Sequence, residues 1–229
     1  MFPSARTVVR RVLTLLAVLP LFVLCDGCNG FWVSDSSVQS VTVSPAAVLL
    51  KAGNATPDTY TLSSTSVTVG GTSTTDTATA KWTSSNTAAV SAASGGVITA
   101  VGSTGNLTAT ITATDGGQSG TANVLTYTGT APTTLNLGIP SNIIAASLAP
   151  GSTFQVTASA ALSGNASANL SSYVTWSITN NAAGATIDVN GNVTVPSTGL
   201  GAFTVNATAT FGSAASQGTA TGTIPFTVI

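Results

Sequence analysis

One tryptophan-centred block occurs twice, and it restricts the fold of this chain more than any other feature. Around Trp82 the sequence reads Lys-Trp-Thr-Ser-Ser-Asn, then Gly-Gly-Val-Ile-Thr-Ala-Val, then Leu-Thr-Ala-Thr-Ile-Thr-Ala-Thr. Around Trp176 it reads Thr-Trp-Ser-Ile-Thr-Asn, then Gly-Asn-Val-Thr-Val, then Phe-Thr-Val-Asn-Ala-Thr-Ala-Thr. The tryptophans lie 94 positions apart, and both Val97/Val193 and Leu107/Phe203 lie 96 apart. A period this long, filled with strand-like text, means two copies of one all-β module rather than a solenoid of short repeats. A module of roughly 90–100 residues is the usual size of a β-sandwich.

Local signals fill in the modules. In the first, residues 38–127, Val41 and Val43 alternate around Thr42 as in a strand with one buried face. Pro45 ends that strand or shifts it to an edge, since it cannot donate to a ladder. Further strands are expected within 60–69, at Trp82, at 97–98, over 107–114 and over 121–127. Asp115-Gly116-Gly117 reads as a hairpin turn. Residues 128–132 form a short linker with Gly129 and Pro132, which limits the freedom between modules. In the second module, residues 133–229, strands are expected over 135–139, 154–160, 173–178, 186–189, 193–195, 203–210 and 219–228. Asn190-Gly191 is a strong turn signal. No segment carries a helical stripe.

The N-terminus reads as an address. Arg6, Arg10 and Arg11 precede an apolar run from Val12 to Leu24 that is short for a bilayer span, which needs about 20 apolar residues. Residues 1–28 are therefore read as a secretory signal. Their end, Leu24-Cys25-Asp26-Gly27-Cys28, resembles the lipobox of bacterial lipoproteins. The resemblance implies lipidation at Cys28 and a membrane-anchored chain in the cell envelope; simple cleavage and secretion is the alternative. Asp26 and Cys25 depart from the usual small and aliphatic residues of that motif. Residues 29–37 are then a tether, and ten residues from Cys28 to Val38 reach at most about 30 Å. Both cysteines fall in the first 28 residues, so the modules hold no disulfide.

Charge excludes several function classes. Charged residues make up 5% of the chain, histidine is absent, and the modules carry only Lys51 and Lys81 as cations. No basic patch exists to neutralise phosphates, so nucleic acid is excluded as a partner. A serine nucleophile would lack its histidine base. Asp58, Asp76, Asp115 and Asp188 are too scattered for a linear calcium motif and read as turn-capping residues. No catalytic, metal or cofactor site is expected.

Val-Thr-Val-Ser-Pro (41–45), Trp-Thr-Ser-Ser-Asn (82–86), Ala-Val-Ser (89–91), Gly-Gly-Val-Ile-Thr-Ala-Val (95–101) and the 107–114 strand together resemble group 2 bacterial immunoglobulin-like domains. The second module is similar but lacks the Ser-Pro step. The resemblance implies two tandem immunoglobulin-like Greek-key β-sandwiches, found in surface proteins as adhesin stalks or accessory modules, with no shared catalytic residues.

Trp82 and Trp176 are accordingly expected as core anchors. Phe31 and Trp32 lie outside both modules, placed to meet either the membrane interface or the first module. The expected role is a non-catalytic surface spacer or adhesion lipoprotein, held at the membrane by lipid, with a surface protein or polysaccharide as partner. Two alternatives stand beside it. The low charge and Thr-rich strands favour self-association by strand addition, with the last strand as donor. The tryptophans would otherwise serve a carbohydrate-binding module.

Overall fold

The computed structural model describes residues 36–53, 55–102, 105–213 and 217–229. It is all-β: among the described residues there is no α-helix, only two short 3-10 turns, at Ser94–Gly96 and Ser171–Tyr173. Two tandem β-sandwiches follow one another.

In the first sandwich, one sheet is built from β1 (Val38–Ser44), β4 (Ser63–Thr68) and β5 (Ser73–Thr75). The facing sheet orders β2 (Ala47–Lys51), β10 (Gln118–Tyr127), β9 (Thr108–Asp115) and β6 (Lys81–Ser84). A small flanking sheet orders β3 (Thr59–Thr61), β8 (Val97–Ala100) and β7 (Val90–Ala92). The chain changes sheets at Pro45, where the Ser44–Pro45 bond is cis. β1 pairs antiparallel with β4, whereas β2, two residues later, runs parallel to β10.

The threonine pattern explains the layers. In β9, Ala109, Ile111 and Ala113 are buried while the intervening threonines point outward. The inner faces of both sheets meet in a core that includes Val43, Leu50, Leu62, Trp82, Ile98 and Val124. Gly116 and Gly117, both at positive φ, make the tight turn from β9 to β10, where Asp115 pairs with Gln118.

The second sandwich repeats the plan. One sheet orders β11 (Asn136–Gly138), β13 (Thr157–Leu162) and β14 (Asn165–Asn169). Opposite it, β15 (Val174–Thr179) and β19 (Gly218–Val228) both pair with β18 (Gly201–Phe211). The small sheet orders β12 (Thr153–Gln155), β17 (Asn192–Thr194) and β16 (Thr186–Ile187). A parallel bridge between Leu148 and Val228 takes the place of the β2–β10 pairing.

Several elements differ from the sequence reading. The strand expected within 60–69 is two strands of different sheets, β3 and β4, divided at Leu62; the one expected over 154–160 divides in the same way at Val156, into β12 and β13. β2 and β14 were not anticipated. β10 starts three residues early, at Gln118.

The division has one physical cause in both copies. The Leu62 N–H donates to the Gly96 carbonyl and the Val156 N–H to the Gly191 carbonyl, each at 2.9 Å, so each residue leaves its own ladder to bind a turn. A tryptophan ring lies over that turn. A Cβ at Gly96 (φ +72°) would fall 2.1 Å from the Leu62 carbonyl oxygen and 3.0 Å from the Trp82 ring. At Gly191 (φ +80°) it would fall 2.5 Å from the Val156 carbonyl oxygen and 3.1 Å from the Trp176 ring. Only glycine has room there, and only glycine takes that φ without cost.

Candidate functional site

The two sandwiches meet in a shared core. β2 is Ala-Val-Leu-Leu-Lys, with Val48, Leu49 and Leu50 all buried, and the end of β10 is buried without alternation from Val124 to Tyr127. A strand covered on both faces has no polar side to show, which is why these runs lose the period of two. Val48, Leu50 and Val124 face the first core. Leu49, Leu125 and Tyr127 belong instead to a cluster with Leu135, Leu162, Leu170 and Phe211 of the second sandwich.

The Tyr127 and Phe211 rings meet edge to face, centroids 5.3 Å apart at 87°, the arrangement favoured by ring quadrupoles. Polar contacts seal the rim. The Gly212 N–H donates to the Leu49 carbonyl at 2.9 Å, next to the parallel Phe211–Leu49 pairing that joins the two large sheets. The Thr128 N–H donates to Ser163 Oγ at 2.7 Å, and Asn106 Nδ2 donates to the Leu162 carbonyl at 3.2 Å. Burial, with a contribution from nearby Asp58, pushes the Tyr127 phenol up to about 12. Asp58 is itself buried, its Oδ2 accepting the Lys51 backbone N–H at 3.0 Å.

A groove runs along one side of this junction. One stretch, about 350 Å³, lies between Pro45–Ala47 and a wall that includes Tyr173, Trp176, Ile187 and Asp188. A neighbouring stretch of about 240 Å³ shares Pro45, Ala47, Tyr173 and Thr175, and continues past Tyr60 to Thr208 and Thr210. The Asp188 carboxyl lies below the usual carboxylate range, held there first by the Asn192 side-chain hydrogen bond and further by the backbone N–H groups of Asn192 and Asn190. Burial raises the Tyr173 phenol.

The repeated tryptophans occupy equivalent positions in different surroundings. Trp82 is 8% exposed within the first core, and its indole N–H donates to the Thr77 carbonyl at 3.0 Å. Trp176 is half-buried between two clusters, lines the groove, and its buried Nε1 has no acceptor. Sequence position alone does not separate the two: Trp82 is bonded within its own sandwich, whereas Trp176 lines a groove whose other side is Pro45–Ala47 of the first sandwich. Cys28, Phe31 and Trp32 lie outside the described residues.

The other charged candidates stay apart. Asp76 is buried, with Oδ1 accepting the Ser64 hydroxyl at 2.5 Å and Oδ2 without a partner. Asp115 sits at the β9–β10 turn and Asp188 caps the Asn190-Gly191 turn. Among the described residues no group of three or more His, Cys, Asp or Glu side chains converges, and no helix is long and apolar enough to cross a membrane.

The last strand is not free. Along one edge β19 pairs with β18 over eleven residues. Along the other, Leu135 N–H donates to the Thr221 carbonyl, Thr227 N–H to Ala145, Leu148 N–H to Thr227, and Ile229 N–H to Leu148. The expectation that this strand is available for donation is corrected by that pairing.

The chain matches no protein-family model and no curated protein. Its likeness to the group 2 bacterial immunoglobulin-like domains therefore rests on the motifs quoted above. Among solved structures it is similar to domains 5–6 of the S-layer protein SbsC, at 17% identity over 84% of this chain and 97% of that one, TM-score 0.33. It is also similar to mouse Cadherin-23 EC22-24, at 14% identity over 83% of this chain and 67% of that one, TM-score 0.29. A third is a SusE-like surface located polysaccharide binding protein from the Bacteroides thetaiotaomicron heparin utilisation locus, at 15% identity over 83% of this chain and 34% of that one, TM-score 0.26. Likenesses this distant say nothing of what the present chain binds.

Proposed function

We propose that this chain is a non-catalytic module of a bacterial cell surface: two sandwiches locked into one stiff spacer, exported by residues 1–28 and anchored through lipid on Cys28. The junction carries the reading. A display stalk needs its units held in one orientation, and a shared apolar core does that where a bare linker would not. Leu49 and Tyr127 in the second sandwich's core are the observation that favours a single stiff body over two beads. Trp82 and Trp176 serve in this reading as anchors of their respective sandwiches. Metabolic labelling with a fatty acid tests the anchor: the native chain is labelled and Cys28→Ser is not. Labelling unchanged by that substitution would sink the lipid anchor and leave a secreted form.

Head-to-tail assembly of copies through the same junction has no matching surfaces. Matching β18–β19 to β9–β10 through Leu107 and Phe203 sets Pro225 and Thr227 where the first sandwich has Leu125 and Tyr127, and both are exposed. At the opposite end, the repeat places Asp115 in the first sandwich where the second has Phe211, and Thr68 where the second has Leu162. Neither end copies the surface it would need. Light scattering of the full chain tests this: no association through the sandwich ends is expected, and a mass rising with concentration would restore the assembly reading.

A further inference from the structure

We propose that the groove along the junction is a binding site for a neutral oligosaccharide chain. Three partly exposed aromatic side chains, Tyr60, Tyr173 and Trp176, line it, and Pro45 lines both stretches. Each packs partly against a core cluster and leaves the rest of its surface to the groove, where the apolar body and polar handle of a Tyr or Trp suit the C–H face of a sugar ring. Hydroxyls border the stretch beside Tyr60 and Tyr173: Thr175, Thr208 and Thr210 are all exposed there.

Charge selects among ligands. Among the described residues no lysine or arginine lines either stretch, and the one charged lining residue is Asp188. A sulfated or uronic polymer would meet a negative group and no cation, so a neutral sugar is the matching class. The contrast between the repeats points the same way. Trp82 is covered and hydrogen-bonded in a position where Trp176 is left open to a groove, so the second copy departs from the first where a ligand would lie.

This inference is independent of the spacer reading, which stands or falls on the junction core. The test is titration of the full chain with soluble cello-, malto-, xylo- and manno-oligosaccharides, read by tryptophan fluorescence and calorimetry. At least one series should bind saturably. Thr175→Arg, which projects a long cation across both stretches from an exposed position, should weaken binding by about tenfold or more. Tyr173→Ala should weaken it similarly, while Trp82→Phe should leave it unchanged. Thermal melts of each variant separate loss of the site from loss of the fold, and because Thr175 is exposed its variant keeps the native melt. Failure of all four series to bind the native chain would overturn the proposal, as would undiminished binding by Thr175→Arg. Binding of a synthetic peptide of residues 218–228 in place of any sugar would overturn it in favour of a protein-docking groove.

Discussion

Tyr127→Ala removes the side chain that carries the first sandwich into the second. Tyr127 is 1% exposed and Phe211 fully buried, with their rings edge to face at 5.3 Å. Truncating a buried aromatic to alanine costs about 3–5 kcal/mol. The ring pair itself accounts for about 0.5–1.5 kcal/mol of that. The contacts that survive at the rim, from Gly212 to Leu49, Thr128 to Ser163 and Asn106 to Leu162, are worth about 1 kcal/mol each. Set against a total stability of about 5–15 kcal/mol, the truncation should decouple the sandwiches. Scanning calorimetry of the native chain should show one cooperative transition, and Tyr127→Ala should show two, the first at markedly lower temperature. A double-mutant cycle with Phe211→Ala should return a coupling of about 0.5–1.5 kcal/mol. A loss below about 1 kcal/mol, with one unchanged transition, is what a surface substitution would give, and it would refute the junction as a core.

Three further outcomes follow from the same geometry. The Tyr127 phenol is raised from 10.0 to about 12 in the folded state, so its contribution is complete below pH 10 and is lost as pH rises towards 12; the stability difference between the native chain and Tyr127→Phe, followed by urea unfolding, should change only in that window. Gly96→Ala and Gly191→Ala should each cost about 3 kcal/mol or more, from the close carbonyl oxygen together with positive φ. Gly117→Ala, at φ +83° with no atom within 4 Å, should cost only about 1–2 kcal/mol in the same melts. Ser64→Ala alone should destabilise by about 1–3 kcal/mol by stripping the buried Asp76 carboxyl of its donor, while Ser64→Ala with Asp76→Leu, which reproduces Ala158 and Leu170 of the second sandwich, should recover most of that loss.

The fold was legible wherever one face of a strand is buried and the other wet. The alternation at Val41–Val43 and over 107–114, the glycine turns and the spacing of the repeated block all report such half-buried strands. β2 was missed because Val48, Leu49 and Leu50 are covered on both sides, which erases the alternation. A short continuous apolar run after Pro45 is the signal that was present. β14, Asn-Ala-Ser-Ala-Asn, was missed for the opposite reason, having almost no apolar text. The junction itself was not legible, since Leu49, Tyr127 and Phe211 are far apart in sequence and no local pattern pairs them. Trp176 shows the same limit: the repeat fixes its place on β15, but the groove it lines is completed by Pro45–Ala47 of the other sandwich.

The central claim, one stiff body rather than two tethered ones, is tested most directly by a distance across the junction. Spin labels at Thr72→Cys and Leu200→Cys, both exposed and on different sandwiches, with Cys25 and Cys28 replaced by serine, would report it by pulsed electron resonance. The account predicts one narrow distance distribution in the native background that broadens in Tyr127→Ala. A distribution already broad in the native background, and unchanged by Tyr127→Ala, would contradict it.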